Sequence, residues 1–221
     1  MRPIGPTIGE PMKDTKQRIV TEGLDLLVRG GFGGVTLGVL AQQTGLSKSG
    51  LFAHFGSKSE VQLRLLEEAA EVSRTTILEP AMKIASGLPR LRAVFEGWLG
   101  WTEKAGLRGG CPVAGGFFEL DDADPQDPVR RRLVALEAEW RGFLAELTAA
   151  AVKTGDLSPD LDVDQFVWEL CGIYLNHHVS YRFIRDPRAT KRALTAFAGL
   201  VSRSSQPSQA TKKTAAKRSR R

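Results

Sequence analysis

Apolar residues recur at three- and four-residue spacing along most of this chain and almost nowhere alternate singly with polar ones. Ile19, Val20, Leu24, Leu26, Leu27 and Val28 form a first such stripe and predict a helix. Asp14 with Gln17 three residues on reads as its N-cap pair, and Gly30-Gly31 as its stop. Gly23 lies inside this helix at a cost of about 1 kcal/mol relative to Ala, which close packing against a neighbouring helix would explain. Short helices follow at about 35–43 and 47–54. The S-x-x-E box Ser57-Lys58-Ser59-Glu60 opens a longer one that runs to about Met82.

Further helical stretches are expected at about 89–104, 127–153, 162–186 and 187–201. Asp127-Pro128 and Asp186-Pro187 offer an N-cap followed by a pre-set first position. No stretch combines sustained alternation with β-branched enrichment, so the expected fold is all-α. The segment Leu107 to Gln126 holds four glycines and an acidic run and reads as a loop with one short helix in it.

The stretch Val35 to Phe55 carries the functional signal. A helix-turn-helix needs a small residue where its helices cross and a residue tolerant of positive φ in the turn. Ala41 and Gly45 supply them. Leu37, Leu40, Leu46, Leu51 and Phe55 fall where the helices pack, which leaves Ser47, Lys48, Ser49, Phe52 and Ala53 facing outward. Small residues around one long cation suit entry into a major groove.

Lys16 to Leu66 resembles the N-terminal domain of the tetracycline-repressor (TetR) family of regulators. The resemblance rests on Arg29-Gly30-Gly31-Phe32, Val35-Thr36, Ala41, Thr44-Gly45-Leu46-Ser47, Gly50-Leu51-Phe52, His54-Phe55 and Ser57-Lys58 in fixed order. It implies a phosphate contact at Thr36, base-edge reading at Lys48, Ser49 and Gly50, pressure on the sugar-phosphate backbone from Phe52 and His54, and a phosphate contact at Lys58. Phe52 departs from the family's usual Tyr and so lacks a hydroxyl for a phosphate. Taken singly, Lys48 also reads as solvated, His54 as a packed helix end and Thr36 as a cap; within the joint pattern they read as DNA contacts.

The resemblance also implies a C-terminal helical bundle for ligand binding and dimerisation. Trp98, Trp101, Phe117, Phe118, Trp140, Phe143 and Trp168 are the aromatics expected around an effector cavity, with ordinary core as the other reading of each. In the last two helices Phe166, Leu170, Ile173, Tyr174, His177, Tyr181, Leu194 and Phe197 are the expected dimer contacts. The expected organisation is a flexible arm over 1–12, a DNA-binding domain over 13–60, a ligand-binding and dimerisation domain over 61–203, and a disordered basic tail over 204–221. Expected partners are double-stranded operator DNA, a second copy of the chain and a small-molecule effector, with no membrane.

Charge refines this picture. Across 221 residues the net charge is +6, with 42% hydrophobic and 25% charged residues, the balance of a globular protein. Seven of the bases lie from Arg203 onward with no acid among them; the remaining 24 bases against 25 acids leave a nearly neutral body. The alternative reading is therefore a sequence-tolerant nucleoid or interaction protein driven by the tail. No secretory signal or spanning run is read, which makes a cytoplasmic protein the expectation.

Enzyme and metal chemistry find little support. His177 and His178 are adjacent on a helix and point about 100° apart, without a ligand at helical spacing. Asp121, Asp122, Asp124 and Asp127 miss an EF-hand register, since Asp127 falls where Gly is needed and Leu133 where Glu is needed. Cys111 and Cys171 fit neither a disulfide framework nor a zinc site, and Cys111 reads as a buried thiol rather than a redox sensor. No catalytic motif, metal site or cofactor is expected.

Overall fold

The computed structural model describes residues 12–205; the expected N-terminal arm, apart from Met12, and the expected tail from residue 206 on lie outside them. Every regular element among the described residues is helical. In chain order these are α1 (Met12–Gly34), α2 (Leu37–Thr44), α3 (Lys48–His54), α4 (Lys58–Ser73), α5 (Glu79–Met82), α6 (Leu88–Trp98), α7 (Trp101–Lys104), α8 (Pro112–Glu119), α9 (Pro128–Lys153), α10 (Val163–His178) and α11 (Ala189–Ser204). π-turns at Arg74–Leu78 and Val179–Phe183 continue α4 and α10.

The chain packs as two compact units. Among the described residues, the first holds those from Met12 to Glu71 together with Leu107–Arg132, and the second holds Val72–Gly106 and those from Leu133 to Ser205. The glycine-rich segment after Gly106 therefore packs with the N-terminal helices, although its neighbours in sequence belong to the other unit. By packing, α4 also stays with the first unit as far as Glu71, beyond the boundary at 60 drawn by role.

In the first unit the apolar stripe of α1 is buried at Ile19, Val20, Leu24, Leu27 and Val28, against Leu40, Leu51, Phe55, Leu65 and Leu66. Each such side chain taken from water contributes about 1.5–3 kcal/mol. Gly23 permits the close approach: a Cβ there would stand 2.8 Å from Leu65 Cδ2 and 3.4 Å from Leu40 Cδ1. α1 begins at Met12, ahead of the expected cap at Asp14, and breaks where expected, at Gly31 with φ 67°. One further turn follows to Gly34. Ser57 Oγ accepts from the Glu60 N–H at 3.1 Å while Glu60 reaches back to the Gly56 N–H at 2.8 Å, which caps α4.

In the second unit Phe95 stacks on Phe197 with centroids 4.5 Å apart, and Trp98 lies flat on Tyr174 at 3.7 Å with Trp140 edge-on at 4.9 Å. The helix expected over 89–104 is broken, because Gly100 adopts φ 66° between α6 and α7. Asp162 caps α10, its carboxylate accepting from the Gln165 N–H at 3.0 Å. Asp186 accepts from the Arg188 N–H, but α11 starts only at Ala189, so Asp186-Pro187 closes a turn ahead of the helix. Ser204 is buried and its carbonyl accepts from the Ser158 N–H at 2.9 Å, so the packed body extends past residue 203.

Candidate nucleic-acid interface

The helix-turn-helix is built by local chemistry. Thr36 takes extended backbone angles and its Oγ accepts from the Val39 N–H at 3.1 Å, which starts α2. Gly45, at φ 67°, ends α2 with its N–H on the Ala41 carbonyl, and Leu46 donates to the same oxygen at 3.1 Å. Ser47 Oγ then accepts from the Gly50 N–H at 3.0 Å and starts α3. The turn is thus closed by one glycine and two capping hydroxyls.

The outward face of α3 presents Lys48, Ser49, Phe52 and Ala53, with Ser47 beside them and Gly50 and His54 half-buried. Phe52 is 51% exposed, a large apolar ring left in solvent. Ser47 and Ser49 share a hydroxyl hydrogen bond at 3.0 Å, so of these two only one proton remains to donate outward. Lys48 crosses the start of α2: its Cε and Nζ lie 3.5 Å and 3.9 Å from where a Cβ on Gly38 would stand, and Thr36 Oγ lies 3.9 Å from that point. Thr36 and Lys48, read separately in the sequence, therefore lie together. Lys58 is exposed at the start of α4.

The aromatic positions expected around an effector separate. Trp98 and Trp101 are core, and Trp140 and Phe143 are half-buried. Phe118 and Trp168 are corrected: they stand 62% and 63% exposed, so neither lines an enclosed cavity, and Phe117 and Phe118 belong to the first unit. A cleft of about 320 Å³ in the second unit is instead lined by Glu96, Glu103, Lys104, His177, Tyr181 and Leu194 among others. Tyr181 donates to Glu103 at 2.6 Å, and His177 Nε2 lies 3.1 Å from Thr190 Oγ. Burial and the nearby Lys104 ammonium push the His177 pKa down, and the glutamate pushes the Tyr181 phenol up.

The expected dimer residues need a similar correction. Phe166, Leu170, Tyr174, His177 and Phe197 are buried inside a single chain and leave a partner little surface to contact. Ile173 and Tyr181 are half-buried, and Leu194 is exposed. The exposed face of α10 carries Trp168, and the π-turn that continues it carries Val179 at its start and Phe183, 87% exposed, at its end. Spacing alone did not distinguish the two faces, because both are apolar.

The class defined by this fold and face is a helix-turn-helix DNA-binding regulator. Residues 19–65 match the family described as "Bacterial regulatory proteins, tetR family", and residues 87–197 match "Tetracyclin repressor-like, C-terminal domain". The chain belongs to the TetR family of bacterial transcriptional regulators and is not an enzyme.

Among its relatives is an uncharacterised HTH-type transcriptional regulator of Lactococcus lactis subsp. lactis, 23% identical over 145 residues, which are 64% of this chain and 74% of that relative. A TetR transcriptional regulator from Chloroflexus aurantiacus J-10-FL shares the fold with a TM-score of 0.76 and 24% identity, over 88% of this chain and 96% of that one. AibR, solved in complex with isovaleryl coenzyme A and operator DNA, shares it at 0.60 and 19% identity, over 85% and 96%. Among the described residues no helix is long and apolar enough to cross a membrane.

Proposed function

We propose that the chain is a cytoplasmic repressor that binds a palindromic operator as a homodimer and is released by a small-molecule effector. The exposed face of α3, with Lys48 lying beside Thr36, carries the DNA half of this reading. Thr36 and Lys58 serve phosphates; Lys48, Ser47, Ser49, Gly50 and Ala53 face base edges; Phe52 and His54 press on the backbone. A two-fold dimer brings two such faces to half-sites about one helical turn apart, roughly 34–36 Å. Its seam is the exposed apolar face of Trp168, Val179 and Phe183 together with Leu194.

The effector half rests on the cleft beside Lys104 and His177 and on the Trp140 indole, whose buried N–H has no partner among the described residues. That AibR was solved with both an acyl coenzyme A and operator DNA supports a fold able to serve both ligands.

The test is selection of fragments by the full chain from its own genome, followed by binding at several salt concentrations. Recovery of one palindromic sequence, bound much more tightly than random DNA, supports the reading. Equal affinity for both would favour the sequence-tolerant alternative, in which the bases from Lys212 to Arg221 bind any duplex.

A further inference from the structure

The polypeptide does not pass straight from α1 into the helix-turn-helix. At Gly31 the backbone turns to φ 67°, ψ −170°, and the helical ladder is interrupted. Two N–H groups just past this break, on Phe32 and Gly33, donate to one carboxylate: Glu119 at the end of α8 accepts them at 2.8 Å through Oε2 and 2.5 Å through Oε1. The Phe32 carbonyl accepts from Gln62 Nε2 of α4 at 2.8 Å. One turn earlier the Val28 carbonyl accepts from the Gly110 N–H at 2.8 Å, and Gly109 lies so near that a Cβ would overlap the Val28 backbone. Segment 109–119 and Gln62 thus hold the same short turn, and all of these residues belong to the first unit.

Only two residues separate Gly33 from Thr36, the cap of α2. Whatever orients this turn orients α2, and through the closed turn at Gly45 it orients α3. We propose that Glu119 is a positioning residue for DNA binding, a brace that holds the α1–α2 turn in the conformation that presents α3. Glu119 lies outside the helix-turn-helix and its negative charge gains nothing from phosphates, so on this proposal it acts on operator affinity through the turn that it holds. When only a fraction of molecules hold the competent arrangement, apparent affinity falls by that fraction. The charge of Glu119 acts in the opposite direction, since removing a carboxylate from a DNA-binding unit favours phosphates.

This inference rests on the reading of the chain as a DNA-binding regulator, and the experiment separates the two. The full chain and its Glu119→Gln and Glu119→Ala variants are titrated against a duplex selected by the wild type from a randomised pool, at two salt concentrations. Amide exchange is followed at Phe32 and Gly33.

Gln keeps one carbonyl acceptor, so affinity should fall in the order wild type, Gln, Ala. Ala should lose about tenfold if the aligned population drops to about a tenth. Base preference and salt slope should stay the same, and exchange at the two amides should quicken. Folded variants that bind equally or more tightly would overturn the brace. A wild type that selects no duplex would overturn the functional reading and the brace with it.

Discussion

Lys48 lies across Gly38, its Cε 3.5 Å from where a Cβ would stand, in a region that Thr36 also borders. The side chain proposed to read DNA and the cap that starts the preceding helix therefore border one patch. Lys48→Ala should weaken operator binding by about 1–3 kcal/mol if Lys48 reaches a guanine edge, and should relax preference at one base pair. A double-mutant cycle with Thr36→Ala should show coupling of about 0.5 kcal/mol or more. Additive losses, equal on all sequences, would reduce both to independent phosphate contacts.

The proposed seam determines which substitutions should dissociate a dimer. Placing Glu at Trp168 and Val179 puts charge on an exposed face and should leave a folded monomer with little operator affinity. Phe197→Glu should unfold the chain instead, because Phe197 is buried on Phe95 with centroids 4.5 Å apart. Light scattering and circular dichroism distinguish the outcomes; a wild-type mass for the double variant would reject this face.

Two histidines predict a pH dependence. Burial lowers the pKa of both His177 and His178 below the ordinary 6.5; Lys104 adds to the shift at His177, and Arg182 and His177 add to it at His178. A folded-state pKa below the unfolded one means the unfolded chain takes up protons first as pH falls. Their contribution is complete above about pH 6.5 and is lost as pH drops through the folded values. The urea midpoint should therefore fall between pH 7.5 and 5, and His177→Gln with His178→Gln should flatten that part of the curve. An unchanged slope in the double variant would assign the effect to carboxylates.

Cys171 offers a chemical check on the second unit. Burial and the Glu137 carboxylate push its thiol up to about 11, with Arg141 partly opposing. At pH 8 a neutral alkylating reagent should leave it unmodified in the native chain and label it in urea, as mass spectrometry would show. Rapid native labelling would mean that the α10 core opens readily.

The helix-turn-helix was legible because its signals are local: Thr36, Gly45 and Ser47 each act within four residues of themselves. The proposed seam and effector cleft were not, because an apolar residue at helical spacing reads the same whether it meets its own core or a partner. Phe166 and Trp168 stand two positions apart, one buried and one 63% exposed. Glu119 was less legible still, since its partners lie 86 and 87 positions away and are backbone amides with no side-chain signature. Only the crowding of glycines at 109 and 110 hinted that this stretch meets another backbone closely.

That long reach has a consequence for biosynthesis. When Glu71 has been added to the nascent chain, α1 to α3 and all but the last two residues of α4 have been made, yet the carboxylate that closes the turn before α2 comes 48 residues later. At about 5–20 residues per second the ribosome takes roughly 2–10 s to supply it. Through that interval the helix-turn-helix lacks the carboxylate contact that the proposed brace supplies. A fragment ending at Glu71 should capture this immature form, with rapid amide exchange at Phe32 and Gly33.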